Sequence, residues 1–297
     1  MIEGEYQGFD VEVRGAGVAL FTLRHPERLN AMSFGQRRDL VEVLGLAQLD
    51  DSVRVVVLTG TGRGFLAGVS NRRGEPEPPT TVPDRPPAAH APVNLYGQLV
   101  TYAQEPVRTI RRLDKLTVAA VNGFAIQLGL SIVLACDFAV AARSAQLGSA
   151  TLRMGWQPDE GGHWLLVEHL GVKRALDFLL RKRIVDAEEA CALGLVNEVV
   201  DDDALLDRSL VLAGELAELP QAAARLLKKA VYNAAHLTFD QAGDDIASKT
   251  AISDFHQDAI TGSAAFFEKR EATFNRWLDA PHDEDDPGLE SEQGGDP

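Results

Sequence analysis

Three segments of this 297-residue chain hold residue types that could do chemistry. In VRVVVLTGTGRGFLAGVSN (53–71) a β-branched run leads into glycines at 60, 62, 64 and 68. Glycine lets backbone approach a ligand closely and lets N–H groups point outward. The dinucleotide fingerprint Gly-x-Gly-x-x-Gly fails, because counting from Gly60 its last position is Phe65. An ordinary glycine-rich strand-to-loop connection is the plain alternative. In TVAAVNGFAIQLGLSIVLACDFAVA (117–141) a strand and a glycine turn lead into a small-residue apolar helix. If Gln127 to Gly129 opens that helix, its free N–H groups form an anion-friendly end. One N–H from each of these loops, converging on one point, makes an oxyanion hole. Simple core packing is the alternative. In LRMGWQPDEGGHWLLVEHLG (152–171), Asp159 and Glu160 precede two glycines and an apolar helix. They are candidates for acid–base work or, equally in kind, for helix caps.

The elements that must position these groups alternate in type. Phe9 to Arg14 and Gly17 to Leu23 have the pattern of two strands joined by a tight turn, and Ser33 caps a helix over roughly 34–48. The run 53–59 suits a strand buried on both faces, as do 117–121 and 138–142. Strand and helix alternate to about residue 200, and helices alone follow, over 203–219, 221–233, 239–253 and a last amphipathic segment to Trp277. The proline-rich stretch 71–92 excludes helix and central strand, and reads as a functional lid or a disordered insert.

Composition narrows the function classes. Net charge is −15, and the last seventeen residues hold seven of the acids with no Lys or Arg. A segment of Pro, Gly and acids cannot meet its ordering cost, so 281–297 is expected to be disordered. An acidic chain without a basic cluster argues against nucleic-acid binding. Cys136 and Cys191 lie in apolar stretches without metal-ligand spacing, which points to free buried thiols and no metal site. The first residues lack the basic start and apolar run of a signal peptide, and no apolar run approaches a membrane span. A soluble, cytoplasmic protein with no membrane partner is expected.

Taken together, HPERLNAMS, VRVVVLTGTGRGFLAG, AAVNGFA with LACDFAVA, LGSATLRMGWQPDEGG, EEACALGLVNEVV and ITGSAAFFEKREATF occur in an order that resembles the crotonase (enoyl-CoA hydratase/isomerase) family, over about residues 8–277. The resemblance implies an α/β spiral of ββα units followed by a C-terminal helical region. It divides the chain into a core at 1–202 with the insert at 71–92, a helical domain at 203–280 and the tail at 281–297. It implies an acyl-coenzyme A substrate, no permanently bound cofactor, and a homotrimer or dimer of trimers. The oxyanion hole would use the backbone N–H groups of Ala67 and Leu128. Arg28, Leu29, Gly68, Val69, Ser70 and Lys269 match coenzyme A contacts.

The departures from the family pattern carry the chemistry. Its hydratases use two glutamates, and here those positions are Ser131 and Thr151. An unactivated hydroxyl is far too weak a base to replace a carboxylate near neutral pH. Asp159, just after Pro158, resembles the carboxylate site of the delta-3,delta-2-enoyl-CoA isomerase branch, with Glu160 as the lesser candidate. Trp156 and Trp164 are expected to wall it, while His163, His90, Tyr96, Gln98 and Tyr102 are weaker candidates. The expected activity is double-bond isomerisation through an enolate, with Asp159 as acid and base. The alternatives are a crotonase-fold hydratase or hydrolase of an acyl-CoA, and a non-catalytic acyl-CoA-binding protein.

Overall fold

The computed structural model describes residues 2–68 and 92–278, the side chains of 93 and 94 excepted. Strands β1 (Gly4–Tyr6), β2 (Phe9–Arg14) and β3 (Val18–Leu23) form an antiparallel meander. Helix α1 (Phe34–Leu49) starts where expected: the Ser33 hydroxyl accepts the Gln36 N–H and the Gln36 side chain accepts the Ser33 N–H, a reciprocal capping box. Next come β4 (Val55–Gly60) and β5 (Gly64–Ala67). After the undescribed stretch, α2 (Pro92–Gln98) runs through a π-helical turn into α3 (Glu105–Arg112).

Two further ββ pairs repeat the pattern. β6 (Leu116–Val121) and β7 (Phe124–Ile126) lead into α4 (Leu128–Ala135), and β8 (Phe138–Ala142) and β9 (Gln146–Gly148) lead to α5 (Gly162–Leu170) and α6 (Val172–Leu180). β10 (Ile184–Asp186), α7 (Ala187–Ala192) and β11 (Glu198–Val200) finish the alternation. In each repeat the longer strand joins a seven-stranded sheet of order β1-β2-β3-β4-β6-β8-β11, and the shorter joins a four-stranded sheet of order β10-β9-β7-β5. The pairs β4–β6, β6–β8, β5–β7 and β7–β9 are all parallel. This is the expected spiral of ββα units. The continuous burial of β6 and of all but the last residue of β4 explains their unbroken apolar runs.

The helices that follow are α8 (Leu205–Glu218), α9 (Gln221–Ala234), α10 (Phe239–Asp254) and α11 (Gln257–Glu268). α8 closes the outer face of the large sheet, packing Leu205, Ala213 and Leu216 with Val55, Val57 and Val118. α9 is tied to the core by Asp137, which accepts from the Lys228 ammonium, the Tyr232 hydroxyl and the backbone and hydroxyl of Thr117. The helix expected to reach Trp277 stops at Glu268, because Lys269 turns left-handed at φ 55° and the backbone after it is irregular. Among the described residues no helix is long and apolar enough to cross a membrane. The tail from 281 and all of 71–91 lie outside the described residues.

One contact sets where α4 begins. An added Cβ at Gly129 would stand 2.0 Å from the Leu66 carbonyl oxygen, so the first turn of α4 rests on β5 with only a hydrogen between them. Opposite, Asn30 fastens the loop before α1 to the same strand: its Nδ2 donates to the Gly64 carbonyl at 2.6 Å and its Oδ1 accepts the His25 N–H at 2.7 Å. Gly129→Ala is expected to lower stability by about 1–3 kcal/mol, the usual cost of overpacking. Urea unfolding of the purified variant gives the number, and an unchanged midpoint would contradict so close an approach.

Candidate active site

The ends of β5 and β7 lie side by side, with α4 springing from the second, so the segments that follow the two strands start as neighbours. Their amides are not equally available. The Ala67 N–H donates to the Leu29 carbonyl at 2.9 Å, which corrects the expectation that it is free for a ligand. Extended backbone alternates its N–H groups from side to side, and here the inward one is used to hold the Pro26–Asn30 turn. The chain then turns at Gly68, φ 78°, where an added Cβ would meet open space. Val69 and Ser70 lie outside the described residues. Leu128 is the first residue of α4, where the helix offers its own N–H no acceptor. No other described backbone group supplies one.

Gln127 stands just before it, in a conformation that L-residues rarely adopt, φ 57° and ψ −100°. Strain of this kind costs about 1–3 kcal/mol and persists only when the surroundings over-determine it. Its N–H donates to the Gly148 carbonyl at 2.9 Å, and its carbonyl accepts the Ser131 N–H at 3.0 Å and hydroxyl at 3.1 Å. Its side-chain oxygen accepts from Ser149 at 2.8 Å and Thr151 at 3.3 Å. Its side-chain nitrogen donates to Glu160 Oε2 at 2.8 Å. Ser131 and Thr151 therefore both support the residue preceding Leu128.

The two acids differ sharply. Asp159 is half-buried, whereas Glu160 is 1% exposed and sealed beneath it. Neither caps α5: the N-cap is Gly161 and no side chain bonds the first-turn amides. Their carboxyls lie within hydrogen-bond reach of each other. Burial, then the neighbouring charge and hydrogen bond of Asp159, push the Glu160 carboxyl up to about 7, against the opposing pull of Gln127 and Arg37. Gly162 brings this loop onto α4, since a Cβ there would be 2.2 Å from the Ser131 hydroxyl.

Arg37 completes the group and was not expected. It is 1% exposed, and its Nη2 lies 4.0 Å from Glu160 Oε1. Its spacing was a usable signal, because it falls on the buried stripe of α1 with Leu40, Leu44 and Ala47. Of the two expected walls, Trp156 is 66% exposed, whereas Trp164 lines a cavity with Glu160 and His163 and lies 5.5 Å from the His236 ring and 5.4 Å from the Arg111 guanidinium. His163 and Tyr96 are exposed, while Tyr102 lines a cavity of about 290 Å³ together with Arg37 and Arg38. Leu29 touches β5 at Gly64 and Arg28 is its exposed neighbour. Lys269 sits at the end of α11, and no hydrogen bond or ion pair joins its side chain to these residues.

Residues 13–277 match the model of the enoyl-CoA hydratase/isomerase family. The chain belongs to that family. The enoyl-CoA hydratase/isomerase relatives carry both names. A 1,2-epoxyphenylacetyl-CoA isomerase of Escherichia coli (strain K12) is 34% identical over 259 residues, covering 87% of this chain and 95% of that protein. A probable enoyl-CoA hydratase of Mycobacterium leprae (strain TN) is 37% identical over 216 residues, 72% of this chain and 71% of that protein. Among solved structures, an enoyl-CoA hydratase from Bacillus anthracis has a TM-score of 0.81 at 26% identity, covering 90% of this chain and 99% of that one. Membership brings the crotonase fold and chemistry on acyl-CoA thioesters.

The buried acid of this enoyl-CoA hydratase/isomerase family member has a thermodynamic consequence. Glu160 is raised from 4.5 in the unfolded chain to about 7 when folded, so folding favours the protonated form. The associated stability is fully present below about 4.5 and is lost as pH rises through about 7. Relative to Glu160→Gln, the wild type is expected to lose roughly 3 kcal/mol between pH 4.5 and pH 8. Urea unfolding of both proteins at several pH values reads this directly. A gap independent of pH would mean that the acid is not raised.

Proposed function

We propose that the chain isomerises the double bond of an enoyl-CoA thioester through an enolate, with Asp159 carrying the proton. The carrying observation is the site's inventory: Asp159 is a half-buried carboxylate adjoining Glu160, whose carboxyl holds the Gln127 side chain just before Leu128, while Ser131 and Thr151 carry hydroxyls where the family's hydratases would have glutamates. The thioester oxygen sits at the Leu128 N–H and at the Gly68 N–H that follows Ala67. Preorganised donors of this kind contribute roughly 3–4 kcal/mol each to a rate. Asp159 removes a proton from one carbon, the C–H electron pair moves into the thioester oxygen, and the same carboxyl returns the proton at another carbon. Glu160 stays beneath as the partner acid, 1% exposed where Asp159 is half-buried.

Coenzyme A is held by the surface around Arg28, Leu29 and Gly68, continued by Val69 and Ser70 outside the described residues, with Lys269 reaching it from another subunit. Exposed Phe239, Phe255, Phe266 and Phe267 on and beside α10 and α11 support a homotrimer or dimer of trimers, since they are apolar surface that assembly would cover. The isomerase name of the Escherichia coli relative supports the choice of reaction, and the hydratase names of others keep hydration as the competitor.

The test is incubation with 3-enoyl- and 2-enoyl-CoA esters in deuterated water, comparing wild type with Asp159→Asn. Wild type moves the double bond and incorporates deuterium, and Asp159→Asn slows both by about 10²–10⁴-fold. Isomerisation that survives the substitution, or water addition as the main reaction, would overturn the assignment.

A further inference from the structure

Arg37 poses a charge problem that Asp159-based proton transfer alone does not explain. None of its three side-chain nitrogens donates a hydrogen bond, and all three are sealed from solvent. Its guanidinium lies 5.4 Å from the centre of the Phe34 ring, and its nearest anion, Glu160, is at 4.0 Å, longer than a hydrogen bond. An isolated buried guanidinium costs several kcal/mol and needs a compensating charge close by. The negative groups acting on it are Glu160 and Asp159.

Buried Glu160 and half-buried Asp159 are neighbours, and two carboxyls this close do not both ionise readily. One proton between them leaves a single negative charge, which balances Arg37. Two protons leave the guanidinium uncompensated, and none leaves an excess anion. Glu160 is fixed on both oxygens: Oε2 accepts from Gln127 at 2.8 Å and Oε1 faces Arg37. The remaining charged groups near it are Arg108, Arg111, Arg112 and His163, around a cavity of about 290 Å³ that Glu160 also lines. Arg108 is held by Gln104 and Glu105, and Arg111 by Glu168.

We infer that Arg37 is a positioning residue that holds the Asp159–Glu160 pair at one shared proton, so that one carboxyl serves as base while the other remains the acid. The deeper burial of Glu160 keeps that proton on its side, against the pull of the Gln127 and Arg37 donors. When Asp159 takes the substrate proton the pair becomes neutral and the new negative charge resides on the enolate oxygen. Arg37 then balances the enolate as it had balanced the pair, so the buried charge is zero before and after the step. Return of the proton restores the starting state, with no other reactant consumed. This rests on Asp159 being the proton carrier.

The test is the pH dependence of kcat and kcat/KM for enoyl-CoA isomerisation in the full-length wild type, Arg37→Met, Arg37→Lys and Glu160→Gln. Removing the positive charge disfavours ionised carboxyls, so Arg37→Met moves the acid limb of both profiles up by about one pH unit or more. Arg37→Lys moves it back towards wild type, while KM for the ester changes less than kcat. Glu160→Gln cannot lose the shared proton, so its profile lacks the basic limb that the wild type has. If Arg37→Met does not fold, by circular dichroism and gel filtration, Arg37→Lys and Glu160→Gln decide. Profiles of the folded variants that coincide with wild type would overturn the role of Arg37 while leaving Asp159 as base. Full activity in Asp159→Asn would instead overturn the base assignment itself.

Discussion

The close approach of α4 to β5 is the constraint on which the site depends. Gly129 lies so near the Leu66 carbonyl that no side chain fits between them. The two parallel strands β5 and β7 end at the same level, and this contact fixes how far their following segments stand apart. The spacing between an amide at the start of α4 and the turn after Ala67 follows from it. Glycine is kept at 129, where backbone meets backbone, and is absent from 127 and 128, where space remains for side chains.

Around that contact the chain exchanges one kind of support for another. Gln127 takes up a backbone conformation suited to glycine, and its side chain supplies the bonds that hold it there, to Ser149, Thr151 and Glu160. Ser149 and Glu160 are buried and Thr151 is half-buried, and each has a partner, which keeps their desolvation cost low. Arg37 is the exception, with charge nearby and no hydrogen bond. Its cost is offset through electrostatics alone, which ties the ionisation of the acids to a helix on the other side of the site.

Much of this was legible in the sequence because it depends on neighbours along the chain. The ββα alternation, the Ser33 cap and the starts of α4 and α9 follow from local pattern. What escaped depends on neighbours in space. The Ala67 amide looked free, since nothing local says that the Leu29 carbonyl returns to meet it. Asp159 and Glu160 looked alike, and only the packing of α1 and α4 around the loop separates the half-buried acid from the sealed one. Arg37 was not singled out, although it shares a buried stripe with Leu40 and Leu44. The end of α11 was misplaced because a left-handed lysine is rare enough to carry no sequence signal.

The web around Gln127 also bears on how such a site changes over generations. Glycine at 127 would relieve the backbone but take a partner from the Ser149 and Thr151 hydroxyls and from the buried Glu160 carboxyl. Placing a glutamate at 131 sets it against Gly162, and one at 151 removes a donor to Gln127. The residues at 131, 151 and 160 all bond Gln127, so substitutions at these four positions are non-additive, and the effect of one depends on which residues hold the other three.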